Sequence, residues 1–127
     1  MVWLFSRNKE SSPKTSDGLR IYAIGDVHGR ADLLTQLHAC IDADIAAHPT
    51  SRVLEVVLGD YIDRGPDSRA VLDLLVSRSR SHQIVCLKGN HETFIFDFLR
   101  DPAVLDPWKS FEGLETLMSY GVVLPTR

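Results

Sequence analysis

The sequence predicts an α/β fold, a parallel βαβαβ sheet with helices on both faces, and three observations carry that reading. Short apolar runs at 20–24, 53–58 and 84–87 alternate with stretches of helical periodicity. The runs are nearly uniformly apolar rather than alternating, as in strands covered from both sides. Each intervening stretch is long enough for a right-handed crossover between parallel neighbours.

Taken in order, residues 1–18 are polar apart from Val2–Phe5 and read as a flexible N-terminal tail, with a single domain over 19–127. Arg20–Ile24 is the first strand. Ala31 to about Ala47 follows as a helix, with Leu34, Leu37, Ile41 and Ile45 forming one apolar stripe, and His48-Pro49-Thr50-Ser51 stops it. Val53–Leu58 is the second strand. Pro66-Asp67-Ser68 starts a helix capped by Asp67 or Ser68, which turns Val71, Leu72, Leu75 and Val76 inward and ends near Ser77. Ile84–Leu87 is the third strand, and a helix from about Glu92 uses Phe94, Ile95, Phe98 and Leu99. After the 101–107 loop, Trp108–Tyr120 reads as one further helix closed by Gly121, and Val122–Pro125 as the start of another strand.

The 127 residues carry a formal net charge of -3, and this slight acidity argues against a nucleic-acid-binding face. No apolar run is long enough for a transmembrane helix, and Val2-Trp3-Leu4-Phe5 is too short for a signal-peptide core, so a cytoplasmic protein with no membrane partner is expected. Cys40 and Cys86 are expected to be buried free thiols, and His38, His48 and His82 surface residues.

The strand ends carry the chemistry. The first gives Asp26 and His28, the second Asp60, Asp63 and Arg64, the third Asn90 and His91. In a parallel sheet these ends open on one edge, where ligands bind. A single His91 or Asp26 is more often structural or solvated than catalytic. Three strand-end clusters of compatible chemistry shift that weighting. Asp-x-His lets both side chains reach one cation, Asp60 has two oxygens to bridge two cations, and Asn90 offers a neutral carbonyl to the second. Mixed nitrogen and oxygen ligands suit Mn²⁺, Fe or Zn²⁺. Two cations ~3.5–4 Å apart are a recurring device for phosphate-ester hydrolysis, binding phosphate oxygens and acidifying a bound water.

Gly25-Asp26-Val27-His28-Gly29, Gly59-Asp60-Tyr61-Ile62-Asp63-Arg64-Gly65 and Gly89-Asn90-His91-Glu92 resemble, in order and spacing, the three N-terminal motifs of the calcineurin-like metallophosphoesterases. They look most like the serine/threonine protein phosphatase branch and its bacterial relatives, more than the diadenosine tetraphosphate hydrolases. The resemblance implies half of a metallophosphoesterase α/β sandwich and two divalent metal ions, Mn²⁺ first, with Fe or Zn²⁺ as alternatives. It implies that Asp26 and His28 bind one metal, Asp60 bridges and Asn90 binds the other. Arg64 would hold a phosphate oxygen, and His91 would protonate the leaving alkoxide with Asp63 orienting its ring and favouring the imidazolium. The implied substrate is a phosphoserine or phosphothreonine protein, with a nucleotide or other small phosphate ester as runner-up.

The resemblance also implies two further histidines and a second arginine after the third motif. No histidine follows His91, and the remaining arginines are Arg100 and Arg127. The domain is therefore expected to be truncated at the C-terminus. A missing C-terminal half or a second copy of the chain would complete the site, and a non-catalytic interaction module on the same scaffold is the alternative.

Overall fold

The computed structural model describes residues 14–123. Its elements run β1 (Leu19–Ile24), α1 (Ala31–Ala47), β2 (Arg52–Val57), α2 (Ser68–Arg78), β3 (Ile84–Cys86) and α3 (Asn90–Phe98). A 3-10 turn (Pro102–Val104), α4 (Leu105–Lys109) and α5 (Leu114–Ser119) follow. The tail expected at the N-terminus lies outside the described residues up to position 13. Ser16–Gly18 form the turn into β1, where the Leu19 amide donates to the Ser16 carbonyl. Val122 and Val123 belong to no strand, and the rest of the strand expected at 122–125 lies outside the described residues.

The three strands are parallel in the order β1-β2-β3, and Ile24, Val57 and Cys86 are register partners in turn. The strands therefore end level, and their following loops share one edge. The α/β class and the βαβαβ order are as expected. Successive right-handed crossovers in one direction put both crossover helices on the same side. That side holds the core: Ile24 and Val57 of the sheet, Leu34 and Ile41 of α1, Val71 and Leu75 of α2. Ile21, Ala23 and Val85, on the opposite side, are exposed among the described residues.

Several expectations are corrected by the packing. His38, expected at the surface, is buried, while Leu37 is exposed. The inward stripe of α1 is Leu34, His38, Ile41 and Ile45, spaced by four, three and four, and histidine takes the place assigned to Leu37. It faces a buried pair in the middle of the apolar strand β2: fully buried Glu55 accepts from Arg78 of α2 (Nη2–Oε1 2.7 Å), and Arg78 also donates to Asp42 of α1 (2.6 and 2.9 Å). Both cysteines are exposed. Cys40 lies beside the inward stripe of α1, and Cys86 ends the short outer strand β3.

The single helix expected from Trp108 to Tyr120 is broken at Ser110–Gly113 into α4 and α5. At Glu112 φ is +60°, and a Cβ on Gly113 would lie 2.2 Å from the Trp108 indole nitrogen, so the chain folds tightly over that ring. The break brings the Glu112 carbonyl to the Arg64 amide (3.1 Å) and turns Thr116 inward.

Candidate active site

The first two strand-end loops are bonded to one another before any side chain is considered. The Val27 and His28 amides donate to the Asp60 carbonyl (3.0 and 2.9 Å), and the Gly29 amide to the Tyr61 carbonyl (2.8 Å). The first two loops pass so closely that a Cβ on Gly65 would lie 2.2 Å from the His28 carbonyl oxygen. His28, Asp60, Asp63 and Arg64 all have positive φ, at 44°, 53°, 71° and 66°. Non-glycine residues rarely occupy this region, and its clustering points to a functional site.

Glu92 ties the second and third loops together. Its Oε2 accepts from the Asp60 and Gly89 amides and its Oε1 from the Tyr61 amide, each at 2.8 Å. Tyr61 packs beneath, donating its hydroxyl to the Leu87 carbonyl, and burial pushes its phenol well above the ordinary value. Asp60 is thereby fixed with its side chain outward, where Oδ1 accepts the His91 amide at 3.0 Å.

The expected residues converge on this edge. His28 Nδ1 lies 2.9 Å from the Ile62 carbonyl, which only accepts, so Nδ1 carries the proton and Nε2 presents its lone pair. Ligand atoms of His28, Asp60 and His91 all lie within 4.8 Å of one another, and Asp26 Oδ2 is 3.8 Å from His28 Nε2. The two imidazoles meet edge to face with centroids 4.7 Å apart. Nitrogen and oxygen donors gathered this closely fit a divalent cation. Arg64 lines a cavity of about 390 Å³ and Asn90 one of about 300 Å³, with Phe111 in the wall of both.

Behind the edge, His91 Nδ1 is 2.8 Å from Asp63 Oδ2, with both residues buried. Asp63 has further donors that sequence reasoning missed. The Trp108 indole N–H reaches Oδ2 at 2.8 Å and the Thr116 hydroxyl reaches Oδ1 at 2.6 Å. The Asp63 amide itself donates to Thr116 Oγ1 (2.9 Å) and Ser68 Oγ (3.1 Å). Asp67 precedes α2 without capping it through its side chain, and Ser68, the other capping candidate, is spent on Asp63. The available signals were a tryptophan that needs a partner when buried and a threonine inside the apolar Leu114–Met118 stripe.

A parallel α/β sheet with nitrogen and oxygen donors beside an Asp–His pair at its carboxyl edge has the architecture of a metallohydrolase. Residues 19–124 match the calcineurin-like phosphoesterase family, and the chain belongs to that family. Among its relatives is the asymmetrical bis(5'-nucleosyl)-tetraphosphatase PrpE of Anoxybacillus flavithermus, 37% identical over 76% of this chain and 39% of that protein. Serine/threonine-protein phosphatase 1 of Salmonella typhimurium is 35% identical over 61% of this chain and 32% of that protein. A zinc-dependent endopolyphosphatase of Saccharomyces cerevisiae is 35% identical over 57% and 20%. The chain thus spans less than half the length of each of these three relatives. No helix among the described residues is long and apolar enough to cross a membrane.

Proposed function

We propose that this chain serves a metal-dependent phosphoesterase that hydrolyses phosphate monoesters, with His91 as general acid. The observation that carries the reading is the buried Asp63–His91 pair set against the His28–Asp60 donors on one sheet edge. Asp26, His28, Asp60 and Asn90 would hold a pair of divalent cations, Mn²⁺ in the first instance, with Fe and Zn²⁺ compatible with the same donors. Such cations supply positive charge to the phosphate oxygens and acidify the attacking water.

The protein groups do the rest. Arg64 presents a guanidinium suited to paired hydrogen bonds with a phosphate. Asp63 takes the Nδ1 proton of His91 into a hydrogen bond, which leaves Nε2 to deliver a proton to the departing oxygen. Trp108 and Thr116 hold the Asp63 carboxylate from behind, so the imidazole plane is fixed before substrate arrives. Phosphoserine or phosphothreonine protein is the first substrate class, in line with the phosphatase-named relative, and a cytoplasmic location is proposed with it. A nucleoside phosphate is the second reading, favoured by the tetraphosphatase-named relative.

Hydrolysis of 4-nitrophenyl phosphate with added Mn²⁺ tests the proposal, with His28→Ala as control. Turnover that disappears in the control is expected. A folded chain that binds Mn²⁺ equally well with and without His28 overturns the assignment of the edge.

A further inference from the structure

Phe111 is a large aromatic left half-exposed, 45%, on the rim of the site. It lies in the loop that breaks the expected 108–120 helix, so the same break that seats Thr116 on Asp63 also carries this ring to His91. Its centroid is 6.2 Å from that of His91, with the rings edge to face, and 4.8 Å from Phe94, with the planes tilted by 34°. Phe94 comes from α3, so rings from two separate elements form one platform beside the proton-donating imidazole. Phe111 lines the cavity of about 390 Å³ together with Arg64, Ser110 and Glu112. It also lines the cavity of about 300 Å³ together with Asn90, Thr93, Phe94 and Asp97.

Position decides what such a platform is for. A group leaving beside His91 departs next to Phe111, whose ring centroid is 6.2 Å from that of the imidazole. An alkyl chain packs on a phenyl face through a few C–H groups, whereas a planar ring stacks on it over its whole area. Stacking tolerates any base or aryl ring because each has a π-face. Thr93 and Asp97 in the second cavity add a hydroxyl and a carboxylate, polar groups able to meet the N–H edge of a base. Arg64 in the first cavity and Asn90 in the second add polar groups suited to a phosphate.

We infer that Phe111, backed by Phe94, is a leaving-group subsite for phosphate esters whose ester oxygen carries a planar aromatic ring a short linkage away, a nucleoside or an aryl group. This rests on the phosphoesterase reading and narrows its substrate.

The test is binding of non-hydrolysable phosphonates by calorimetry, in Mn²⁺ and again in chelator. Methylphosphonate lacks a ring, phenylphosphonate carries an aryl ring and adenosine 5'-phosphonate carries a base. One or both ring-bearing compounds are expected to bind about tenfold more tightly than methylphosphonate, and the better of the two identifies the ring's source. Phe111→Ala and Phe111→Leu are expected to bring that advantage below about twofold while leaving methylphosphonate unchanged. Leucine separates stacking from mere apolar contact, and Phe96→Ala, an exposed phenylalanine away from these cavities, is the neutral control. Equal affinity for all three compounds, or an advantage that survives in Phe111→Leu, overturns the subsite and leaves the phosphate site standing. A folded chain that binds no phosphonate in either condition overturns both.

Discussion

Thr116→Val isolates the polar seat of Asp63, because valine keeps the shape of threonine and exchanges only its hydroxyl for a methyl. In the native chain that hydroxyl donates to Asp63 Oδ1 at 2.6 Å, accepts from the Asp63 amide at 2.9 Å and meets Ser68 Oγ at 3.1 Å. Asp63 and Thr116 are both buried, so water does not replace what is lost. Removing one partner of a hydrogen bond to a charged group costs about 1.5–3 kcal/mol. The Asp63 amide keeps Ser68 Oγ at 3.1 Å, which spares a second orphan. The extra methyl recovers under ~1 kcal/mol, and a net loss of about 2 kcal/mol is expected. With a urea m-value of about 1.5 kcal/mol/M, the unfolding midpoint falls by roughly 1.3 M. Thr116→Ser keeps the hydroxyl and restores most of the loss. Thr35→Val, where an exposed hydroxyl bonds only the Ala31 carbonyl, changes stability by less than about 0.5 kcal/mol. A Thr116→Val midpoint within about 0.3 M of the native one, at unchanged m, refutes the argument.

Three further outcomes are expected. His91→Asn lowers kcat/KM on an alkyl phosphate by ~10²–10⁴-fold but far less on 4-nitrophenyl phosphate, whose departing oxygen needs no proton. Equal losses on the two substrates, accompanied by loss of bound metal, make His91 a ligand and not the acid. The His38 imidazole is held below its ordinary 6.5 by burial first and by the Arg78 guanidinium second, with Glu55, Asp42 and His82 as its other charged or titratable neighbours. The unfolded chain therefore takes up the proton first, so this contribution to stability is complete above pH 6.5 and declines as pH falls below it. Denaturation midpoints across that range give the slope, and His38→Gln flattens it. An unchanged slope in that variant rejects the account. Gly65→Ala sets a Cβ 2.2 Å from the His28 carbonyl oxygen and is expected to cost about 2 kcal/mol or more, with weaker Mn²⁺ binding. Native stability and native metal affinity together contradict the close approach.

The sheet was legible because its signal is local. Three apolar runs separated by helical periodicity are enough to order β1, β2 and β3 along the chain, and the expected extent of α1, Ala31 to about Ala47, holds because Ala31 follows a glycine loop and Pro49 stops the helix. Which face each helix covers is set instead by the order of the strands. That order, β1-β2-β3, sends both crossovers the same way and exposes Ile21 and Val85, although their apolar character suggested cover. His38 misread for a related reason. It is buried on the inward stripe of α1 facing Glu55 of β2, whose charge Arg78 meets from α2, and no periodicity reports partners so far along the chain.

The site divides along the same line. Its outer groups were legible because strand ends in a parallel sheet must converge, so Asp26, His28, Asp60 and His91 met without further assumption. Arg64 and Asn90 line two cavities that share Phe111. The groups holding the outer layer rigid were not legible. Glu92 looks from sequence like a helix-start carboxylate, and it does take the Gly89 amide. Its remaining acceptor capacity goes to Asp60 and Tyr61, about thirty residues upstream. Trp108 and Thr116 reach Asp63 across 45 and 53 residues, and only the break at Ser110–Gly113, which helical periodicity hid, puts both within reach. Positive φ at His28, Asp60, Asp63 and Arg64 is a standing cost of order 1–3 kcal/mol per residue, which persists only where surrounding bonds over-determine the backbone. Those bonds are the amides on Glu92, the hydroxyls on Asp63 and the amides on the Asp60 carbonyl. The chemistry of the edge is therefore written in its motifs, while its rigidity depends on single residues scattered far from them.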